Sequence, residues 1–395
     1  MDRIRIPQSE FESRRDVILK SLKERKVDAI FVYGDEYRKE NLRYVSNVWP
    51  LFERGAAVFS DVADPIVLCA PEGIGLTREM SAWQDIRIVP DFLCVTVPDE
   101  IEYPLAVFTS FKKVAEELRE KGCALSKLGV VGLDAMSEAL VNSLRSSFGA
   151  ELVDMNDLLF DMRKVKSENE IACLREAARI ADAAYKVLMS SDIIGLTEIQ
   201  AAGIIEGAAR KEGAEHIIFN VMGSGERTNT IIGRPAYKVI EDGDMIMCAL
   251  AVQYEGYVAT CEVPFAVGNY SAETKRVLDV LIKASSAGIA QLRPGNPMKN
   301  FVKAVREVFR TEGLSEYDVY PPLHGIGCAE AESPYPNEET EAVFEVGMTC
   351  NTDISLFGLK GGSNRIEEGF VITENGADTL SPFCRSHCLE WLAKM

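Results

Sequence analysis

Two hydrophobic periods alternate along the first part of the chain. Residues 9–26 follow a helical repeat rich in charge and predict an amphipathic helix, and the apolar run Asp28–Tyr33 behind it predicts a strand. Further strands are predicted at 56–60, 65–69, 87–89 and 128–132, and further helices at 108–122 and 136–147. This alternation is typical of an α/β unit.

The boundary between this unit and a second one is predicted near residues 158–166. Ser167 is followed three residues later by Glu170, which is the spacing of a capping box at the start of a helix. Helices near 195–212 and 271–292 follow, with an apolar strand over Met245–Val252 between them. A chain of 395 residues is long enough for two cores. We therefore expect domains at 1–160 and 161–395.

The composition limits the binding partners and the cellular compartment that we expect for this protein. The formal net charge of −18 disfavours nucleic acid and anionic membranes as partners. No apolar run reaches membrane-spanning length, and no apolar signal core follows the N-terminus. The ten cysteines lack paired spacing, and Cys384 with Cys388 has no second pair with which to form a zinc site. These features predict reduced thiols and a cytoplasmic location.

Three segments resemble the creatinase/aminopeptidase P/prolidase family. They are Gly256–Glu262, Leu323–Gly327 and Arg365–Glu368. The resemblance implies an α/β N-terminal domain and an α+β pita-bread C-terminal domain, in which helices cover a curved antiparallel sheet. It also implies a homodimer and a small-molecule substrate.

The peptidases of this family hold two metal ions with five ligands, and the resemblance places those ligands on residues of this chain. The corresponding positions are Ala249, Thr260, His324, Asp353 and Glu367. Alanine and threonine supply no carboxylate at the first two positions. We therefore expect no cofactor. If a metal is present, we expect a single divalent ion on His324, Asp353 and Glu367.

Glu262 and His324 are the leading catalytic candidates. Glu262 interrupts an apolar run and faces the same way as Thr260, displaced by about 6.6 Å along the strand. Creatinase, the metal-free member of the family, also carries a glutamate at this place. His324 opens the loop His-Gly-Ile-Gly, and histidine supplies acid–base chemistry near neutral pH.

Several carboxylates in one pocket require a positive partner. A metal ion, an internal pair with Arg227 or Arg365, and a cationic substrate are the three alternatives. We expect the catalytic groups to be His324, Glu262, Asp353 and Glu367. The substrate-binding candidates are Arg227, Glu332, Tyr335, Trp49 and Phe52.

Three functions remain open at this point. The leading hypothesis is a creatinase-like, metal-independent hydrolase that cleaves a C–N bond of a small cationic or zwitterionic nitrogen compound. One alternative is a metal-dependent Xaa-Pro dipeptidase or aminopeptidase, and another is a non-catalytic pita-bread binding protein. Fold resemblance alone does not decide between them.

Overall fold

A computed structural model describes residues 3–94 and 101–395, which divide into two compact units. The N-terminal unit is Ile6–Met162. The C-terminal unit combines Arg163–Met395 with the first residues of the chain, up to Arg5.

The N-terminal unit is built on one mixed sheet of six strands in the order β4-β3-β2-β1-β5-β6. Strand β2 pairs antiparallel with both β1 and β3, while β3–β4, β1–β5 and β5–β6 are parallel pairs. The strands are β1 (Ala29–Asp35), β2 (Arg54–Ser60), β3 (Ile66–Cys69), β4 (Asp85–Ile88), β5 (Lys127–Val131) and β6 (Glu151–Asp154).

Helices accompany this sheet, and three of them, α1, α4 and α5, lie where the sequence pattern predicts a helix. Phe111, Val114 and Leu118 lie on one face of helix α4 and are buried, and the ring of Phe111 meets Phe31 of β1 edge-on at 5.5 Å. The helices that begin before the domain boundary are α1 (Gln8–Arg25), α2 (Glu40–Ser46), α3 (Ile74–Met80), α4 (Phe111–Glu120), α5 (Glu138–Phe148) and α6 (Asn156–Lys164). The predicted α/β fold class is confirmed.

The C-terminal unit contains two antiparallel sheets of four strands. In the first, β8 pairs with β7, β9 and β10, and in the second the order is β11-β12-β13-β14. The strands are β7 (His216–Ser224), β8 (Met245–Tyr254), β9 (Tyr257–Cys261), β10 (Phe265–Ala266), β11 (Leu323–Gly325), β12 (Thr349–Leu356), β13 (Asn364–Thr373) and β14 (Gly376–Thr379).

Helices cover these sheets and share one core with them. Tyr185 and Leu188 of α7 pack in a buried cluster with Leu250 of β8 and Ile354 of β12. The helices are α7 (Glu168–Ser190), α8 (Glu198–Lys211), α9 (Ala272–Ile289), α10 (Lys299–Thr311) and α11 (Pro382–Leu392). The predicted α+β pita-bread class is thereby confirmed.

Two local predictions in this unit have different outcomes. The capping box is confirmed, since the Ser167 side chain accepts from the Glu170 amide and the Glu170 carboxylate accepts from the Ser167 amide. The expectation of reduced cysteines is wrong at two positions, because Cys261 and Cys384 form a disulfide. Their proximity comes from the packing of α11 beside the end of β9, which no spacing along the chain reveals. Among the described residues, no helix has both the length and the apolar character needed to cross a membrane.

Asp182 of α7 provides a pH-dependent contribution to stability. Its carboxylate accepts hydrogen bonds from the amides of Phe383 and Cys384 at the start of α11, and burial raises its pKa from 3.8 to about 6. A raised pKa means that the folded state binds this proton more tightly than the unfolded chain. The stabilisation is therefore present at low pH and is lost as the pH rises from 3.8 to about 6.

We predict that Asp182→Asn removes this pH dependence. Between pH 4 and 6 the free energy of unfolding of the unmodified chain should fall by about 2 kcal/mol relative to the variant. Urea unfolding across this pH range measures the difference. Asp192→Asn, at an exposed position, is the control and should follow the unmodified chain. Parallel pH profiles for Asp182→Asn and the unmodified chain would contradict the prediction.

Candidate active site

Strand pairing brings together acidic residues that are far apart in the sequence. In the pairing of β12 with β13, Asp353 lies directly opposite Glu367. The backbone of Glu262, just after β9, exchanges two hydrogen bonds with that of Glu367, of 2.9 and 3.0 Å. Glu262, Glu367 and Asp353 therefore occupy adjacent positions on three neighbouring strands, and all three are buried.

His324 is held in one tautomer at the edge of this row. It lies on β11 opposite Asn351 of β12 and is 3% exposed. Its Nδ1 lies 2.9 Å from the carbonyl oxygen of Gly325, and because a carbonyl only accepts, Nδ1 carries the proton. Nε2 then presents a lone pair and lies 3.9 Å from the carboxylate of Glu330. This nitrogen can bind a metal ion or accept a proton.

Glu330 is a site residue that the sequence reasoning missed. Its Oε1 accepts a hydrogen bond of 3.0 Å from the hydroxyl of Thr260, one of the two places where the family resemblance expects an aspartate. Ligand atoms of His324, Glu330 and Glu367 all lie within 4.8 Å of one another. The carboxylate of Glu330, from the loop after β11, therefore lies next to Thr260 of β9, which has no carboxylate of its own. The sequence contains no local signal that singles out Glu330. Glu330 and Glu332 are two residues apart in one loop, and only their contacts with other parts of the chain distinguish them.

Arg365 is the positive partner of the acidic row. It precedes Glu367 by two residues on β13, so both side chains lie on the same face of the sheet. Its Nε lies 2.8 Å from Glu262, 2.9 Å from Glu367 and 3.6 Å from Asp353. Of the three positive partners considered from the sequence, the internal arginine is observed, and it is Arg365.

Burial and mutual repulsion favour the protonated carboxylic acids in this row. Burial raises the pKa of Glu262 to about 7, with Arg365 opposing and Glu367 adding to the shift. Burial, followed by the negative charge of Glu367, raises the pKa of Asp353 well above its usual value. The pKa of Glu367 is also raised, chiefly by burial. The site thus contains four carboxyl groups, counting Glu330, and one guanidinium, so retained protons or a bound cation must offset the excess of carboxyl groups.

Two further candidates from the sequence have partners of their own. Arg227 donates to Glu198 at 3.0 Å, and Glu198 also accepts from the amides of Ser224 and Ala236. Glu332 forms a buried ion pair of 2.6 Å with Lys166 and lies 3.3 Å from Arg163. Both side chains stabilise the C-terminal unit through these contacts, and their roles toward a substrate stay predictions.

The aromatic candidates occupy different surroundings. Tyr335 stacks on His324, with ring centroids 5.4 Å apart and an angle of 28° between the planes, and remains half exposed. Trp49 and Phe52 belong to the N-terminal unit, where the indole of Trp49 donates to the carbonyl of Glu36 and Phe52 is exposed. Of these three residues, Tyr335 is thus the one that lies against the catalytic candidates of the C-terminal unit.

The five family ligand places do not form a two-ion centre here. Ala249 is fully buried on β8 and packs with Val221, Met247 and Phe357. The Thr260 hydroxyl is bonded to Glu330, and Arg365 lies among the remaining carboxylates. The residues present fit a single ion better, because His324, Glu330 and Glu367 converge on one point.

Comparison with known proteins identifies the family. Residues 172–374 match the model of Metallopeptidase family M24, and residues 14–165 match that of the Creatinase/Prolidase N-terminal domain. The chain belongs to metallopeptidase family M24. The M24 match contains Glu262, His324, Glu330, Asp353, Arg365 and Glu367, and the predicted family is confirmed.

Individual relatives of this M24 chain carry peptidase names. It is 25% identical to the Xaa-Pro dipeptidase of Pyrococcus furiosus over 94% of this chain and 98% of that protein. It is 32% identical to the uncharacterized peptidase YqhT of Bacillus subtilis, over 59% of this chain and 66% of the relative. The prolidase of Pyrococcus horikoshii has a similar structure, with a TM-score of 0.79, 22% identity and coverage of 93% of this chain and 98% of that one. That structural likeness shows the fold.

These findings correct two expectations. The metal-independent, creatinase-like function is wrong, because the chain matches a metallopeptidase family and aligns over nearly its whole length with an Xaa-Pro dipeptidase. The expectation of no cofactor is wrong for the same reason. Both errors have a physical origin in this site, since Glu262 is paired with Arg365 and Glu330 was overlooked as a ligand. The coarser expectation of a hydrolase agrees with the family.

We predict that Glu332 is needed for folding stability. Glu332→Gln leaves the ammonium of Lys166 buried without its carboxylate, and the free energy of unfolding should fall by about 3 kcal/mol. Chemical denaturation measures this. The control is Glu345→Gln, which breaks the more exposed pair with Lys164 and should change stability by less than about 1 kcal/mol. An unchanged unfolding midpoint together with a raised KM for Glu332→Gln would assign this residue to the substrate instead.

Proposed function

We propose that this M24 chain is a metal-dependent peptidase that hydrolyses the bond between an N-terminal residue and proline. The proposal rests on the proximity of His324, Glu330 and Glu367, whose ligand atoms lie within 4.8 Å of one another. The chain that holds them aligns over 94% of its length with an Xaa-Pro dipeptidase. Imidazole and carboxylate are the ligand types that hydrolytic metal centres use. A divalent ion bound there would polarise the peptide carbonyl and lower the pKa of a water molecule.

The chain's own residues prepare the site for this reaction. The carbonyl of Gly325 favours the tautomer of His324 with the proton on Nδ1, so Nε2 of the neutral ring is the nitrogen that can bind a metal ion. Asn351 donates to Glu367 at 2.8 Å and Arg365 forms an ion pair with its other oxygen, so this carboxylate has a fixed orientation. Such fixed groups need no reorganisation during the reaction.

Asp353 is the candidate proton donor to the leaving nitrogen. It is 4% exposed, and burial together with the charge of Glu367 raises its pKa well above the usual value, which favours the protonated acid. A carboxylic acid in this state can protonate an amine as the C–N bond breaks.

Tyr335 is the candidate contact for the proline ring. Its half-exposed ring lies on His324 and offers an apolar face next to the proposed reacting atoms. Roles for Arg227, Glu332, Trp49 and Phe52 in substrate binding stay predictions. The homodimer and the cytoplasmic location do as well.

The test is hydrolysis of Ala-Pro and Gly-Pro by the full chain after incubation with Mn²⁺, with Ala-Ala as the comparison substrate. We expect release of free proline, which chromatography measures, and little cleavage of Ala-Ala. His324→Gln should lower kcat/KM by about 100-fold or more, because it removes the proposed ligand nitrogen.

His216→Gln is the matched control. His216 lies on β7 of the same unit and is paired with Gln253 of β8, so its replacement should leave kcat/KM unchanged. If folded protein saturated with Mn²⁺, Co²⁺ or Zn²⁺ cleaves no Xaa-Pro dipeptide or Xaa-Pro-Xaa tripeptide, the proposed function fails. Equal losses in both histidine variants would also reject the role of His324.

A further inference from the structure

Arg365 occupies the position where three carboxylates converge. Its Nε is within 3.6 Å of Glu262, Asp353 and Glu367, and its side chain is 6% exposed. A guanidinium ion carries a permanent positive charge and cannot be deprotonated in a protein. It therefore supplies positive charge to these carboxylates at the place where a metal ion could otherwise do so.

A second set of ligands lies next to this arginine. His324 presents Nε2, and Glu330 has its carboxylate 3.9 Å away, held in place by the hydroxyl of Thr260. Glu367 belongs to both sets, because it forms an ion pair with Arg365 and has a ligand atom within 4.8 Å of those of His324 and Glu330. The two positive positions would thus share one carboxylate.

Two buried carboxylate oxygens beside Arg365 have no hydrogen bond within the described part of the chain. Within residues 3–94 and 101–395, Oε1 of Glu262 and Oδ1 of Asp353 have no hydrogen-bond partner, although both residues are at most 4% exposed. A buried carboxylate oxygen in this state is unfavourable by an amount comparable to a lost hydrogen bond. Additional positive charge or an ordered water molecule on an adjacent ion would stabilise both atoms.

We propose that this chain binds one divalent metal ion on His324, Glu330 and Glu367, and that Arg365 takes the place of a second ion. One nitrogen and two carboxylate ligands suit a borderline or hard divalent cation such as Mn²⁺, and three protein ligands leave positions open for water. The proposal deepens the proposed peptidase function by specifying its metal site. It is measured without peptide, so it can fail or hold independently of the substrate assignment.

The first experiment is titration of the metal-free full chain with Mn²⁺, followed by isothermal calorimetry and by electron paramagnetic resonance. We expect one equivalent of bound Mn²⁺ and the spectrum of an isolated ion, without coupling between two ions. Glu330→Gln should weaken binding at least 10-fold, because it removes one of three ligands. Glu339→Gln makes the same change of charge at an exposed position of the following loop and should bind as the unmodified chain does.

The second experiment replaces the arginine. Arg365→Gln removes the positive charge from Glu262, Asp353 and Glu367, so a second equivalent of Mn²⁺ should bind, whereas Arg365→Lys should keep the stoichiometry at one. Circular dichroism establishes that each variant is folded. If Arg365→Gln does not fold, Glu330→Gln and the stoichiometry of the unmodified chain still decide the question.

The proposal is overturned by two coupled ions in the unmodified chain, by no Mn²⁺ binding, or by unchanged affinity in Glu330→Gln. One bound ion that depends on Glu330, in a protein that cleaves no Xaa-Pro peptide, would support the metal site and reject the proposed function. The reverse result, cleavage with two bound ions, would reject the metal site and support the function.

Discussion

The candidate site depends on holding carboxylates side by side inside a sheet where their charges repel. Glu262, Glu367 and Asp353 occupy neighbouring strands and are shielded from water, so repulsion between them is strong. The ion pairs of Arg365 offset this repulsion. They form because Arg365 and Glu367 are two residues apart on β13 and therefore lie on the same face of the sheet. The backbone bridge between Glu262 and Glu367 joins the two sheets at the same point. Electrostatics and strand pairing therefore reinforce each other here.

Features with a local pattern were predictable from the sequence. The capping box at Ser167 and Glu170 is an example, because both partners lie within one helical turn. The buried strand around Ala249 is another, since a covered strand is apolar on both faces. His324 was recognisable as a site residue because its glycine-rich loop has a family counterpart. In each case the information lies within a few residues.

The rest depends on contacts between distant parts of the chain. Nothing beside Thr260 in the sequence indicates that Glu330 will bond to its hydroxyl, and the two meet only after β9 and the loop after β11 have been placed. The sequence likewise leaves Arg365 as one of several alternative positive partners, and only the position of β13 shows that it pairs with Glu262. A comparison of the five family ligand positions one at a time therefore misses ligands that come from other positions, such as Glu330. Such a comparison shows which ligand side chains are absent. It does not show which side chains from other parts of the chain lie at the same site.

The disulfide between Cys261 and Cys384 has a consequence for the unfolded chain. The bond joins residues separated by 123 positions, and this closed loop contains Glu262, His324, Glu330, Asp353, Arg365 and Glu367. A cross-link of this span reduces the conformational entropy of the unfolded state and in the chain-entropy model stabilises the fold by about 5 kcal/mol. All six residues would stay tethered to one another even when the sheets separate. Oxidation at one pair of sulfurs would thus limit how far the whole ligand set can disperse.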